Sequence, residues 1–239
     1  MQDLSRLKKA LLVLVAIATC GSASGYIYFK ATEAVAGSLP PLRTGDLVFQ
    51  TITDSQASAI IVASASPYSH MGIINVDASG NTTVVEAIGP VREVDLDRWL
   101  AQGAGRRVTI KRLPELLESD ANKVVEAARR YMGLPYDIHF LFDNNALYCS
   151  ELAWLAFREG ANIEIGKVEA IGELNTGNPV VTQLIKRRWE SYEPCKTSGA
   201  TSFEACYKLV MQQELVTPAS MARDTKLDLV FSNYPLPNP

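Results

Sequence analysis

Between residues 149 and 160 the chain reads Cys-Ser-Glu-Leu-Ala-Trp-Leu-Ala-Phe-Arg-Glu-Gly. Leu152, Ala153, Trp154, Leu155, Ala156 and Phe157 give a helix that is apolar over most of its circumference, so the rest of the chain must wrap around it. Gly133-Leu134-Pro135 is a turn signal ahead of this helix, a polar loop containing Asp143, Asn144 and Asn145 follows, and Gly160 is the expected stop. Cys149 therefore stands at a helix start. There, unpaired amides and the helix dipole favour an anion and bias a thiol toward its nucleophilic thiolate. The plainer alternative is a buried core cysteine, the usual state of a free thiol.

The front of the chain is different in kind. Arg6, Lys8 and Lys9 precede the apolar run Ala10 to Ala18, and a small-residue patch from Thr19 to Ser24 follows. This is the pattern of a secretory signal with a cleavage position at Ala23. Ala10 to Phe29 could equally stay as an anchor of about 20 residues. Ile17-Ala18-Thr19-Cys20 also resembles a lipoprotein box, with Thr19 a poor residue before the lipidated cysteine. All three modes leave the positive flank inside and deliver the remainder outside the cytoplasm, to the periplasm or cell envelope. Residues 1–30 are expected to be signal peptide or membrane anchor, 31–42 a linker ending in Ser38-Leu39-Pro40-Pro41, and 43–239 the folded domain. With 239 residues, 47% of them hydrophobic, the chain can bury a proper core. A net charge of −3 gives no basic patch, so nucleic acid is not an expected partner.

Cysteine usage agrees with export. Cys195 and Cys206 lie eleven positions apart across a polar segment, and an oxidising compartment would let them pair; two unrelated buried thiols are the alternative. Cys149 is then the odd cysteine of an exported domain, a flag for a reactive thiol.

Strands are expected at 45–50, 70–76, 82–88, 91–94, 108–113 and 227–231, with Asp77 to Asn81 as a hairpin turn. Helices are expected at 55–65, capped by Ser55 or Asp54, at 96–101, and at 119–132 with Val124, Val125, Ala128 and Tyr131 facing inward. Thr217 to Ala222 reads as a turn with a short helix, while 165–189 is ambiguous. Strands that do not alternate one for one with helices indicate an α+β fold with an antiparallel sheet packed against helices.

A cysteine nucleophile needs a base, and the base needs an orienting group. The chain has two histidines. His139 lies within the aromatic cluster Tyr136, Phe140 and Phe142, whereas His70 opens a strand and can stand at the sheet rim facing a helix start. Glu86 is an isolated carboxylate in Val84-Val85-Glu86-Ala87-Ile88, on the strand expected to pair with that of His70. A charge there is costly without a partner, and an imidazolium would be one; an outward-facing strand residue is the alternative.

Pro67-Tyr68-Ser69-His70-Met71-Gly72-Ile73, Val85-Glu86-Ala87, Gly133-Leu134-Pro135-Tyr136-Asp137 and Tyr148-Cys149-Ser150-Glu151-Leu152 follow in that order. Together they resemble the permuted papain-like cysteine amidases of the YiiX/YaeF type, relatives of the NlpC cell-wall peptidases; in the permuted type histidine and acid precede the cysteine, as here, whereas in non-permuted relatives the cysteine comes first. The resemblance implies a circularly permuted papain-like fold with Cys149 as nucleophile, His70 as base and Glu86 as third member. Tyr136 would line the site, with Ser69 and Tyr148, which precede His70 and Cys149 in their motifs, as further substrate contacts. The implied chemistry is acyl transfer: Cys149 attacks a carbonyl, the Cys149 amide with Tyr136 stabilises the oxyanion, and water releases the acyl-enzyme. No cofactor is implied, and histidines and cysteines are too few for a zinc site. Cell-wall peptides are the expected substrate. A lipid acyl hydrolase or acyltransferase is the alternative, and a module that only binds an amino acid or peptide a third. Motif matching finds no counterpart for the segment bearing Cys195 and Cys206.

Overall fold

The computed structural model describes residues 39–143 and 145–235; the expected signal or anchor segment and linker residues 31–38 lie outside the described residues. Strand β1 (Leu47–Gln50) is buried along its whole length. Burial without alternation is what a central strand covered on both faces requires, and three of its four residues are apolar. It pairs antiparallel with β2 (His70–Val76) and β5 (Thr109–Arg112). Outside β2 come β3 (Thr82–Ala87) and β4 (Val91–Asp95). Six strands result, in the order β4-β3-β2-β1-β5-β8, with β8 (Asp228–Ser232) on the far edge. Each neighbouring pair is antiparallel. Gly45 and Asp46, expected to open β1, instead form a turn before it. Gly45 takes φ +88°, and the buried Asp46 carboxylate accepts from Arg112 Nε at 2.6 Å and Nη2 at 2.7 Å.

Alternation along the strands separates two faces. Leu47, Phe49, Met71, Ile73, Val85 and Ala87 pack on α3 (Glu118–Arg129) and α4 (Cys149–Ala161). On the other face α2 (Leu96–Gln102) covers β3 and β4, burying Trp99 and Leu100. Helix α1 (Ala57–Ser64) lies between β1 and β2 in the chain, and Asp54 rather than Ser55 secures its start, accepting from the amides of Gln56 and Ala57.

Gly160 does not end the cysteine helix. The helix runs to Ala161 and stops at Asn162, which adopts φ +54°. Gly160 is needed for packing: a Cβ there would lie 2.5 Å from the Val124 backbone, so glycine lets α3 and α4 approach closely.

The ambiguous stretch after α4 resolves into β6 (Val168–Ala170), a 3-10 turn at Ile171–Glu173, and α5 (Pro179–Arg188), capped by Asn178. Then come α6 (Glu193–Thr197), α7 (Phe203–Gln212), β7 (Glu214–Val216) and α8 (Pro218–Ala222). β6 and β7 pair as a separate two-stranded ribbon. Cys195 and Cys206 are joined as a disulfide that ties α6 to α7. Among the described residues no helix is long and apolar enough to cross a membrane.

Candidate active site

Cys149 is the first residue of α4, 4% exposed, at the point where the first-turn amides have no intrahelical acceptor. His70 begins β2 opposite Gln50, and Glu86 projects from β3 opposite Arg92. Gly72 lies in β2 two residues after His70, on the strand that pairs directly with that of Glu86. A side chain there would meet Val84 Cγ1 at 2.4 Å, and its absence leaves His70 and Glu86 free to meet on one face. His70 Nε2 donates to Glu86 Oε2 at 2.6 Å, leaving Nδ1 for the thiol, and the imidazole stacks on Trp99 with centroids 6.0 Å apart.

The electrostatics follow from that geometry. Burial drives the His70 pKa down, but hydrogen bonds to Cys149 and Glu86 outweigh it and lift the value to about 9. The ring therefore carries a proton at neutral pH. For Glu86, burial pushes up, yet His70 and then Arg92 prevail, and the carboxyl is held below its usual range. Arg92 donates to Glu86 Oε1 through Nε at 2.9 Å and Nη2 at 2.7 Å. Its Nη2 also reaches Gln102 Oε1 at 2.8 Å. A buried carboxylate between two cations is tolerable where a lone one is not. Arg92 and Gln102 were not singled out in the sequence. The Glu86–Arg92 pairing was nonetheless available from the register of the β3–β4 hairpin.

His139 is placed elsewhere. It sits beside the Tyr192 ring at 5.7 Å and within 3.3 Å of Ser191 Oγ, in an apolar hollow whose burial lowers its pKa. The structure brings His70, not His139, to Cys149.

Cys149 opens into a cleft of about 100 Å³ whose lining is almost wholly apolar. Its walls include Ala59 and Ala63 of α1, Leu184 and Ile185 of α5, and Leu215 and Val216 of β7. Tyr136, Tyr148 and Ser69 all line this cleft. The hydroxyls of the last two are engaged by backbone: Ser69 Oγ accepts from the Ile52 amide at 3.0 Å, and Tyr148 Oη from the Val216 amide at 3.2 Å. Tyr136 differs. Its oxygen accepts from Gln56 Nε2 at 3.1 Å, and burial, followed by the negative charge at Cys149, lifts its pKa well above the ordinary phenol value. Two residues beyond Cys149, Glu151 is fully buried. Its Oε2 accepts from the Tyr148 amide at 3.4 Å while Oε1 finds no partner among the described residues. Burial raises its pKa to about 9, so it is a neutral acid.

Among the described residues no group of three or more His, Cys, Asp and Glu side chains is gathered to hold a metal ion.

A family model described as permuted papain-like amidase enzyme, YaeF/YiiX, matches residues 41–231. The uncharacterized protein YiiX of Escherichia coli is 28% identical over 195 residues, covering 81% of this chain and 88% of that protein. A crystal structure described as that of the metalloprotein YiiX from Escherichia coli matches with a TM-score of 0.72 at 27% identity, covering 82% of this chain and 100% of that one. The match of the family model runs through residues 160–215, for which the short motifs offered no counterpart. The chain belongs to the permuted papain-like amidase family and is a cysteine amidase or peptidase by that membership.

Proposed function

We propose that this member of the permuted papain-like amidases is an extracytoplasmic hydrolase that cleaves an amide bond through a thioacyl intermediate on Cys149. The observation that carries this reading is the hydrogen-bonded sequence Cys149, His70, Glu86, set at a helix start and opening into a cleft. The Cys149 thiolate attacks the carbonyl carbon. The charged His70 ring then gives its proton to the departing amine, and Glu86 holds the ring through Nε2. Neutral His70 next takes a proton from water, which attacks the thioester and frees Cys149. The Cys149 amide, with the Tyr136 hydroxyl, faces the developing oxyanion.

Cell-wall peptides are the first substrate class to test, in keeping with the signal-like or anchor-like pattern expected of residues 1–30. One observation favours a second reading: the near absence of polar atoms in the cleft suits an apolar acyl group, as in a lipid acyl hydrolase or acyltransferase. Incubation of the full-length chain with wall peptides and, separately, with phospholipid vesicles distinguishes the two by product mass. Release of a new amine from the peptides supports amide cleavage, and release of fatty acid alone supports the lipid reading. Failure on both, with Cys149 unreactive to iodoacetamide, overturns the catalytic reading.

A further inference from the structure

An oxyanion donor must keep its own proton free and must be held where charge develops. Tyr136 meets the first condition for a reason that can be traced two residues back. A guanidinium has only donors, so the amide oxygen of Gln56 must be the atom facing Arg188, whose Nη2 donates to Oε1 at 3.0 Å. This fixes the orientation of the whole amide. Gln56 Nε2 is then compelled to face Tyr136 and donate to its Oη at 3.1 Å. The phenol oxygen is thereby used as an acceptor, and among the described residues its proton has no other acceptor. That proton is left for the cleft that Tyr136 shares with Cys149.

We propose that Gln56 and Arg188 are positioning residues that aim and polarise the Tyr136 hydroxyl toward the acyl oxygen on Cys149. The inference rests on the reading of Cys149 as nucleophile and extends it to two residues outside the four sequence motifs. Gln56 is 7% exposed, so its amide is shielded from competing water and each bond in the series strengthens the next. Arg188 is fixed independently: it donates to the Ile138 carbonyl and lies 6.0 Å over the Phe140 ring. Its charge forms no ion pair among the described residues, although Asp54 and Asp137 are near enough to act on it. The guanidinium thus supplies the positive end of a donor series that terminates beside Cys149. Packing holds the two ends together. Ala59 of α1 meets Val181 and Leu184 of α5, and this contact sets the distance between Gln56, just before α1, and Arg188, at the end of α5.

A mere tie between α1 and α5 would contain the same bonds, so the test must separate direction from attachment. Gln56→Glu keeps the shape and can still meet Arg188. However, a carboxylate cannot donate, and it would draw the Tyr136 proton away from the cleft. The full-length chain is assayed with two probes that both modify Cys149: 4-nitrophenyl butyrate, whose acylation passes through an oxyanion, and iodoacetamide, whose alkylation does not. Tyr136→Phe and Gln56→Glu are each expected to slow acylation by about 100-fold, the usual loss for one oxyanion donor. Arg188→Gln should slow it by about 10-fold, a fraction of that loss because the amide can still donate. Alkylation by iodoacetamide and the melting temperature of Gln56→Glu should stay near wild type. Combining Arg188→Gln with Tyr136→Phe should add nothing to Tyr136→Phe alone, since both act on one hydroxyl. Full acylation by Gln56→Glu, additive losses in the double variant, or equal loss with both probes would overturn the proposal. If Gln56→Glu does not fold, the double variant decides. If wild type is alkylated at Cys149 but never acylated, the hydrolase reading itself falls, and this inference with it.

Discussion

The sheet with α3 and α4, and the segment from β6 to β7, differ in how each serves the site. In the proposed mechanism the first supplies the reacting groups, from β2, β3 and the start of α4, elements that pack into one continuous core. The second supplies walls: α5 and β7 close the cleft over Cys149, and the segment is built of short helices held by a disulfide. On the proposed reading, chemistry rests on strand register and selectivity on walls drawn from the disulfide-held segment. The two halves should therefore respond differently to substitution.

The largest effects belong to the sheet side. Cys149→Ala should abolish turnover while leaving the melt nearly unchanged, because one buried thiol is a small packing loss. His70→Ala should lower amide turnover by about 100-fold or more, as loss of a general acid–base does. His139→Ala, in the wall segment's hollow, should affect affinity or stability only. Steady-state kinetics on the three variants would break the comparison if His139→Ala proved the inactive one.

On the wall side, replacing Cys195 and Cys206 with alanine should cost about 2–3 kcal/mol of stability, since the bridge closes a loop of sequence separation 11. Denaturant unfolding with and without reductant measures this. Alkylation of Cys149 by iodoacetamide in the folded variant should stay at the wild-type rate; a slowed rate would mean that the walls also set the chemistry.

A smaller effect is expected from filling the cleft. Ala63→Phe, on α1 facing the cavity, should raise KM for apolar acyl esters by about 10-fold, the scale of a lost apolar contact in a pocket, with kcat little changed. A fall in kcat with KM constant would place Ala63 nearer the reacting atoms than the cleft geometry does.

The sheet side should also show a pH effect on stability. Glu151 is neutral in the fold because its pKa is raised to about 9 from the usual 4.5. The unfolded chain releases this proton at lower pH, so the stability it contributes is fully present below about 4.5 and is lost as pH rises toward about 9. Glu151→Gln should flatten that part of the stability profile. Melts across this range give the slope directly, and an unchanged slope in the variant would show that Glu151 is charged in the fold.

The same comparison explains what was readable in the sequence. The sheet side was legible because local rules fix it. His70 opens an apolar strand, Glu86 interrupts another across a hairpin, and Cys149 starts an apolar helix; those positions nominated the three residues, and the resemblance of the four motifs to the permuted amidases joined them. The limits of elements moved by a few residues, and Gly160 proved to be a packing residue because its role depends on a neighbour, Val124, that the helix sequence does not show. The wall segment was opaque. Residues 165–189 carry no clear period because a three-residue strand and a 3-10 turn precede α5. The cleft itself joins residues from α1, α5 and β7 that are far apart in the chain. Gln56 and Arg188 were missed for that reason: 132 positions separate them, and neither sits in a motif. The Cys195–Cys206 pairing, by contrast, followed from counting cysteines on the expectation of an oxidising compartment.

The central claim is that Cys149 forms the acyl-enzyme with help from His70. Rapid quenching of the full-length chain with 4-nitrophenyl butyrate, followed by peptide mapping, tests it most directly. The account predicts a single butyryl adduct on Cys149 as a hydroxylamine-labile thioester, absent from Cys149→Ala and formed far more slowly by His70→Ala. An adduct on Ser150 or His139, or one that persists undiminished in Cys149→Ala, would contradict it.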